Sequence, residues 1–344
     1  MAAVEQVEVL IAAGGFDDAL LGRLRAVSPR LRIVAAPPAA EDGTEVARAA
    51  WATAEVLYTI FRLPEPAQAP RLRWVQLHSA GAEQVQGHAL LDAGVRFTTG
   101  SGPAAPTIAE YVFATLLARS RHVDRMLEWQ ARGSWPPDEQ RWPLFVADEL
   151  WGKTLGVVGY GSIGRQVARV GRAFGMRVLA MQRGEDHRDR GFVLAGAGDP
   201  DGSLPERFVT PERLTDLLAE SDVVVLALPL TATTHGLIDA AALRAMRPSA
   251  TLVNVARGAI VDEAALVRAL REGWIGGAVL AVFAAEPLPA GHPLWELPNV
   301  LLSPHVSAFG PGYDARMTEL FAENLRRYVD DEPLLNLVDP DAGY

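Results

Sequence analysis

Three short segments in the last third of the chain carry side chains able to do carbonyl chemistry. They are Asn254-Val255-Ala256-Arg257-Gly258, Glu286-Pro287-Leu288 and Ser303-Pro304-His305-Val306-Ser307. Arg257 brings a planar, permanently charged fork that suits a carboxylate. His305 is the side-chain type whose ordinary titration lies near neutrality, and Glu286 is an acid able to orient it. Each segment stands at or just beyond the end of a predicted strand. Taken singly, Arg257 could be a surface ion pair, Glu286 a loop acid and His305 a loop-facing imidazole. Together on one edge of a nucleotide fold they form a candidate active site.

That edge needs something to bind, and an earlier stretch supplies it. Leu155 to Gly164 reads Leu-Gly-Val-Val-Gly-Tyr-Gly-Ser-Ile-Gly, an apolar run ending in G-x-G-x-x-G, and Arg165 to Phe174 then reads as a helix. Gly159 allows the tight turn out of the strand, Gly161 lets backbone approach a pyrophosphate, and Gly164 lets helix pack on strand. Tyr160, Ser162 and Ile163 complete a turn whose helix N-terminus offers N–H groups and a positive dipole to phosphates. The pattern, lying between strand and helix, predicts a dinucleotide site. The next strand ends Ala180-Met181-Gln182-Arg183, where an NAD site usually carries an acid for the ribose 2′-hydroxyl. Gln182 removes that negative charge and Arg183 adds a cation, which favours NADP. Arg188 and Arg190 could assist. NAD stays open, with Arg183 in water and Glu185 or Asp186 on the ribose.

The elements that position these residues follow a βα rhythm, the signature of an α/β fold with parallel sheets. In the first hundred residues, strands are expected at Val7–Ala12, Arg32–Ala36, Glu55–Tyr58, Trp74–Leu77 and Val95–Thr98, with helices at Phe16–Val27 and Thr44–Ala52. Between the last two of these strands lies the loop His78-Ser79-Ala80-Gly81-Ala82-Glu83, whose amides could hold a carboxylate or merely form a turn. Thr107 and Glu110 read as a capping box opening one helix to about Gln130. Gly133–Trp151 is rich in Trp and Pro and reads as irregular. Its Trp135, Trp142 and Trp151 are assigned to packing or subunit contact, though one could cover the active site. Further strands are expected at Thr154–Gly159, Arg177–Gln182, Asp222–Leu228, Thr251–Val255, Gly276–Val282 and Val300–Ser303. Gly184–Phe208 reads as an extended loop, and Pro311–Val329 as a final amphipathic helix.

Composition narrows the function classes. The chain of 344 residues is long for one core and points to two domains. A formal net charge of -10 argues against nucleic acid. There is no cysteine, which excludes disulfides and thiol chemistry, and Lys153 is the single lysine, which disfavours a Schiff base. No apolar run approaches the ~18 residues of a membrane span. The first fifteen residues lack a basic leader, so the expected location is cytoplasmic. His88, His122, His187, His235 and His292 show no ligand spacing, and no catalytic metal is expected.

On these motifs the chain resembles the D-isomer-specific 2-hydroxyacid dehydrogenase family, in particular its glyoxylate/hydroxypyruvate reductase members. The matching stretches are Ser79-Ala80-Gly81, Ile108-Ala109-Glu110-Tyr111, the glycine motif, Leu228-Pro229-Leu230-Thr231, Asn254–Glu263, Val282-Phe283 with Glu286-Pro287, and Ser303-Pro304-His305. The resemblance implies two doubly wound parallel-sheet domains. A Rossmann cofactor domain (113–308) would be inserted into a flavodoxin-like substrate domain (1–112 and 309–344), and a cleft would close on substrate. It implies that Arg257 holds the substrate carboxylate, that His305 passes the proton and that Glu286 orients the imidazole. Ala80 and Gly81 would complete the substrate site. Leu228, Pro229, Thr234, Val255, Ala256, Arg257 and Ser307 would line the cofactor beside the glycine turn, Gln182 and Arg183. A homodimer, a small 2-keto acid substrate and NADPH are the expected partners. One departure stands out: Ala281 replaces the family's usual Asp, losing a hydrogen bond to the nicotinamide amide worth ~1 kcal/mol. Ser307 could compensate. Alternatives within the resemblance are D-3-phosphoglycerate oxidation and a nucleotide-sensing corepressor with little turnover.

Overall fold

The computed structural model describes residues 6–13, 15–35 and 45–344. Ala36 and Thr44, expected edges of a strand and a helix, lie outside them. The backbone sorts into two compact units, one of residues 1–104, 190–194 and 310–344, the other of 105–189 and 195–309.

The first unit is built on five parallel strands: β1 (Val7–Ala12), β2 (Leu31–Ala35), β3 (Val56–Thr59), β4 (Trp74–Leu77) and β5 (Arg96–Thr98). Their order, β2-β1-β3-β4-β5, is the flavodoxin-like one. Both faces are covered, so β3 and β4 are buried at every residue and are mainly apolar, with Thr59 and Gln76 as their buried polar members. Successive side chains still go to opposite faces. Val7, Val9 and Ile11 join one core with Trp74, Met317 and Phe321, while Leu10 joins the other with Leu57, Val75 and Phe97. The helix Tyr313–Val329 lays Met317, Leu320, Phe321 and Leu325 on the first core at helical spacing. Its Asn324 also reaches inward, donating to Gln76 Oε1 at 3.1 Å and thereby tying the helix to β4.

The second unit carries β6 (Thr154–Val158), β7 (Arg177–Met181), β8 (Arg207–Val209), β9 (Val223–Leu226), β10 (Thr251–Asn254), β11 (Gly277–Leu280) and β12 (Val300–Leu302), all parallel. Their order is β12-β11-β10-β9-β6-β7-β8, which reverses direction at β6 and β9, the place where open α/β sheets bind ligands. The helix Ala105–Ser120 packs on the helix Ser162–Ala173, with Phe113 stacked on Phe174 at 5.2 Å just beyond it. Arg119 donates to Asn299 O at 2.9 Å and Gly276 O at 2.6 Å, anchoring the loops that start β12 and β11.

Local expectations fail in three places. The long helix begins at Ala105, so Thr107 is its third residue and not its cap, and it stops at Ser120. His122 takes a left-handed φ of 54°, Asp148 N donates to Ser120 O at 3.1 Å, and a second helix runs Val123–Ala131. The Trp/Pro-rich stretch contains the helix Asp138–Phe145, opened by two acids that favour the dipole. The expected loop Gly184–Phe208 ends in the edge strand β8, too short for a period to register. Trp135, Trp142 and Trp151 are 76–80% exposed, so of the roles expected for them, core packing is excluded and subunit contact stays open.

Candidate active site

The glycine turn joins β6 to the helix Ser162–Ala173. Gly159 has φ +100°, and a Cβ there would lie 2.6 Å from Ala227 O at the end of β9, so only glycine fits. A Cβ at Gly164 would lie 2.1 Å from Gly159 O, which accounts for the close helix–strand packing. Gly161 differs, since nothing lies within 4 Å of its would-be Cβ. It is also the helix N-cap and has no side-chain cap, leaving the backbone approachable by an anion. Those features fit a dinucleotide pyrophosphate. Tyr160 is buried and donates to Asp199 Oδ2 at 2.6 Å, and burial with that carboxylate pushes its hydroxyl well above the usual range. Ser162 and Ile163 form the first turn of the helix.

At the end of β7, Gln182 takes His187 Nδ1 on Oε1 at 3.2 Å and donates to Asp186 O at 3.3 Å. Arg183 beside it is exposed. Asp186 is ion-paired with Arg188 at 3.1 Å, so that carboxylate is already engaged by a cation. Beyond β9, Leu228 is buried and Pro229 O accepts from Thr234 Oγ1 at 2.7 Å, closing the 229–234 turn.

The three chemical segments leave the C-terminal ends of three adjacent strands, β10, β11 and β12. Arg257 follows β10 on a turn held by Asn254, a buried residue with no role assigned from its type. Asn254 Oδ1 accepts from Ala256 N at 3.0 Å and Nδ2 donates to Arg257 O at 3.0 Å. An Asx residue followed closely by the functional side chain is the signal that could have found it. Val255 and Ala256 are buried, and Arg257 is partly exposed, with one guanidinium nitrogen donating to Ala256 O at 2.8 Å.

Glu286 and His305 meet. Glu286 Oε2 and His305 Nδ1 are 2.8 Å apart, while Phe283 N donates to Glu286 Oε1 at 2.9 Å. Both carboxylate oxygens are thus occupied, and the imidazole is held by Nδ1 with Nε2 left for other chemistry. The His305 amide donates to Ala281 O and Ser303 O, both at 3.0 Å, and its φ is 53°. Ala281 itself is fully buried and donates to Asn254 O at 3.0 Å, so the two strand-end loops are laced together by backbone. Ser307 is buried, and Ser303 Oγ lies 2.7 Å from Tyr111 OH on the helix Ala105–Ser120.

Gly258 is where those loops touch most closely. A Cβ there would lie 1.9 Å from Phe283 C and 2.3 Å from Ala284 N, with backbone on both sides. Gly258→Ala is therefore expected to cost about 3 kcal/mol of stability by overpacking, read from denaturant unfolding. A midpoint matching wild type would refute the close approach.

In the first unit, Ala80 and Gly81 follow β4. The loop is shaped by Ser79 Oγ donating to Gly81 O at 2.7 Å and Gly100 N donating to Ser79 O at 2.7 Å. His78 shares a 2.7 Å hydrogen bond with Tyr58 OH, and its carbonyl accepts from Tyr313 OH at 2.7 Å. Burial holds the His78 imidazole below its ordinary range and pushes the Tyr313 hydroxyl up to about 12, with Asp314 adding to the latter. Among the described residues, no group of three or more acids and histidines could hold a metal ion, and no helix is long and apolar enough to cross a membrane.

Comparisons with known proteins identify the family and the fold. Residues 113–307 match the model of the NAD-binding domain of D-isomer specific 2-hydroxyacid dehydrogenases. The chain is 37% identical to a glyoxylate reductase of Aeropyrum pernix over 79% of its own length and 78% of that protein's. It superposes on a D-isomer specific 2-hydroxyacid dehydrogenase family protein from Aeromonas salmonicida with TM-score 0.77 at 32% identity, covering 98% of this chain and all of that one. A D-isomer specific 2-hydroxyacid dehydrogenase from Xanthobacter autotrophicus, solved with NADPH and MES, gives TM-score 0.78 at 29% identity over 99% of this chain and all of that one.

Proposed function

The chain belongs to the D-isomer-specific 2-hydroxyacid dehydrogenase family, and from that premise we propose that it is an NADPH-preferring reductase of a small 2-keto acid such as glyoxylate or hydroxypyruvate, with the D-2-hydroxy acid as product. The observation that carries the reading is the Glu286–His305 contact at 2.8 Å on the strand-end edge that also carries Arg257. When bound at the glycine turn, the reduced dinucleotide supplies the hydride. Arg257 binds the substrate carboxylate through its fork and polarises the neighbouring carbonyl. His305 holds the transferable proton on Nε2 and gives it to the carbonyl oxygen, taking it back in the oxidative direction. Glu286 keeps the ring in register through Nδ1. Ala80 and Gly81 are assigned to the substrate carboxylate on their match to the family motif. Leu228, Pro229, Thr234, Val255, Ala256 and Ser307 are assigned to the cofactor on the same ground.

The preference for NADPH rests on charge. The position that would hold a ribose-binding carboxylate is Gln182, and Arg183 follows it. A 2′-phosphate gains from that exchange and a bare ribose loses an acceptor. Initial rates with NADPH and NADH across glyoxylate, hydroxypyruvate, pyruvate and bulkier keto acids test the whole reading. Turnover of small keto acids is expected, with kcat/KM at least tenfold higher for NADPH. Tight nucleotide binding without turnover would favour the sensor alternative instead. An enzyme drawing on a pyridine nucleotide pool works where that pool is held, which is consistent with the cytoplasm.

A homodimer is proposed on the surface of residues 123–151, which exposes Val123, Met126, Leu127, Trp135, Trp142 and Trp151. Large exposed aromatics grouped along one segment are the composition of an interface centre. Light scattering is expected to give twice the chain mass, and Trp135→Ser with Trp142→Ser to weaken association at least 30-fold. A monomeric wild type would refute it.

A further inference from the structure

We propose that Glu263 and His292 form a positioning pair that fixes the loop carrying Glu286, and that hydride-coupled proton transfer at His305 depends on them. The inference rests on the reductase reading above and adds residues that reading does not use. Glu263 opens the helix Glu263–Glu272, directly after the N-cap Asp262, whose carboxylate accepts from Ala265 N. Its two oxygens leave the helix and hold the neighbouring loop. Oε2 accepts from Ala284 N at 3.3 Å, and Oε1 lies 3.0 Å from His292 Nε2.

The tautomer of His292 follows from its other nitrogen. Leu294 N donates to Nδ1 at 3.3 Å, so Nδ1 carries a lone pair and the proton on Nε2 points at Glu263. His292 and Glu263 are each only 21% exposed, which strengthens a charge-assisted bond relative to one in bulk water. One carboxylate therefore grips the loop at residue 284 and again at residue 292. The stretch between them, which contains Glu286, is closed further by Trp295 Nε1 donating to Pro289 O at 2.9 Å.

The consequence for chemistry lies in two consecutive amides. Phe283 N holds Glu286 Oε1, and Ala284 N is held by Glu263. Releasing Ala284 frees the peptide unit that sets the orientation of Phe283, and with it the carboxylate on His305. Gly258 packs against the same peptide, so the grip of Glu263 keeps the loop seated on the Arg257 turn. A displacement of about 1 Å at a proton-transfer group is enough to cost about 100-fold in rate.

The test uses the purified full-length chain with NADPH and glyoxylate, nucleotide binding by fluorescence titration, and thermal melting as a fold check. Glu263→Ala and His292→Ala are expected to lower kcat by about 10- to 100-fold. KM for the keto acid and Kd for NADPH should stay within about threefold, and the solvent deuterium isotope effect on kcat should rise. His292→Gln, which retains an N–H donor for Glu263, should recover most of the loss. Glu263→Ala placed on Glu286→Gln should add little, because it acts through a carboxylate already removed. If Glu263→Ala fails to fold, Glu263→Gln carries the same test, since its amide cannot accept from Ala284 and His292 at once. Unchanged kcat, losses that multiply with Glu286→Gln, or a parallel loss of nucleotide binding would overturn the pair. Those results leave the reductase reading intact, whereas an inactive wild type across the keto acid panel would sink both.

Discussion

Replacing His305 with asparagine is expected to lower kcat for 2-keto acid reduction by about 10²–10⁴-fold, the range general acid catalysis contributes. Asparagine is the informative choice because the backbone at 305 has φ 53°, a left-handed conformation that asparagine tolerates better than most residues. The amide bonds from His305 N to Ala281 O and Ser303 O are made by the backbone and survive the change. What disappears is the ring nitrogen that carries the proton, so the effect separates chemistry from folding. Nucleotide affinity should hold within about twofold, since the glycine turn leaves β6 and His305 follows β12, at the far edge of the same sheet. Steady-state rates beside fluorescence titration of NADPH check it. Retention of activity within tenfold of wild type would remove His305 from its assigned role.

Much of this was readable before any coordinates, for identifiable reasons. Strands such as Val7–Ala12 and Trp74–Leu77 coincide with mainly apolar runs, broken by Glu8 and Gln76, because parallel strands covered on both faces have little polar side. The glycine motif was legible because Gly159 and Gly164 answer backbone demands that no other residue meets, while Gly161 keeps the turn open to an approaching anion. The errors fall where long-range contacts decide. The break at His122 depends on Asp148, some 26 residues away, capturing the carbonyl of Ser120, and no local window contains that bond. β8 exists because β7 offers it an edge, and its three residues carry no period of their own. The candidate site divides in the same way. Arg257, Glu286 and His305 declare themselves by type and place, but Asn254, Glu263 and His292 act on backbone atoms brought near by folding. His78 is similar: its partners Tyr58 and Tyr313 come from β3 and from a helix more than 230 residues later.

Arg257→Lys is expected to lower kcat/KM for the keto acid by about 10²–10³-fold despite keeping the charge. The mount of this residue makes the substitution clean. Asn254 fixes the turn through Ala256 N and Arg257 O, both main-chain atoms, and neither bond involves the guanidinium. Lysine can therefore occupy the same turn, and only the head group changes. An ammonium presents a compact charge with no planar fork, so it cannot pair both oxygens of a carboxylate and also keep the bond that Arg257 makes to Ala256 O. Removing one partner of a desolvated, hydrogen-bonded charge pair costs about 3–5 kcal/mol, and a lysine in place recovers only part of it. The loss should fall mainly on KM if Arg257 chiefly grips the carboxylate, and on kcat as well if it polarises the carbonyl in the transition state. Melting temperature and NADPH affinity should stay near wild type. Steady-state kinetics with glyoxylate reads the split, and a variant within fivefold of wild type in kcat/KM would show that the fork is not what holds the substrate.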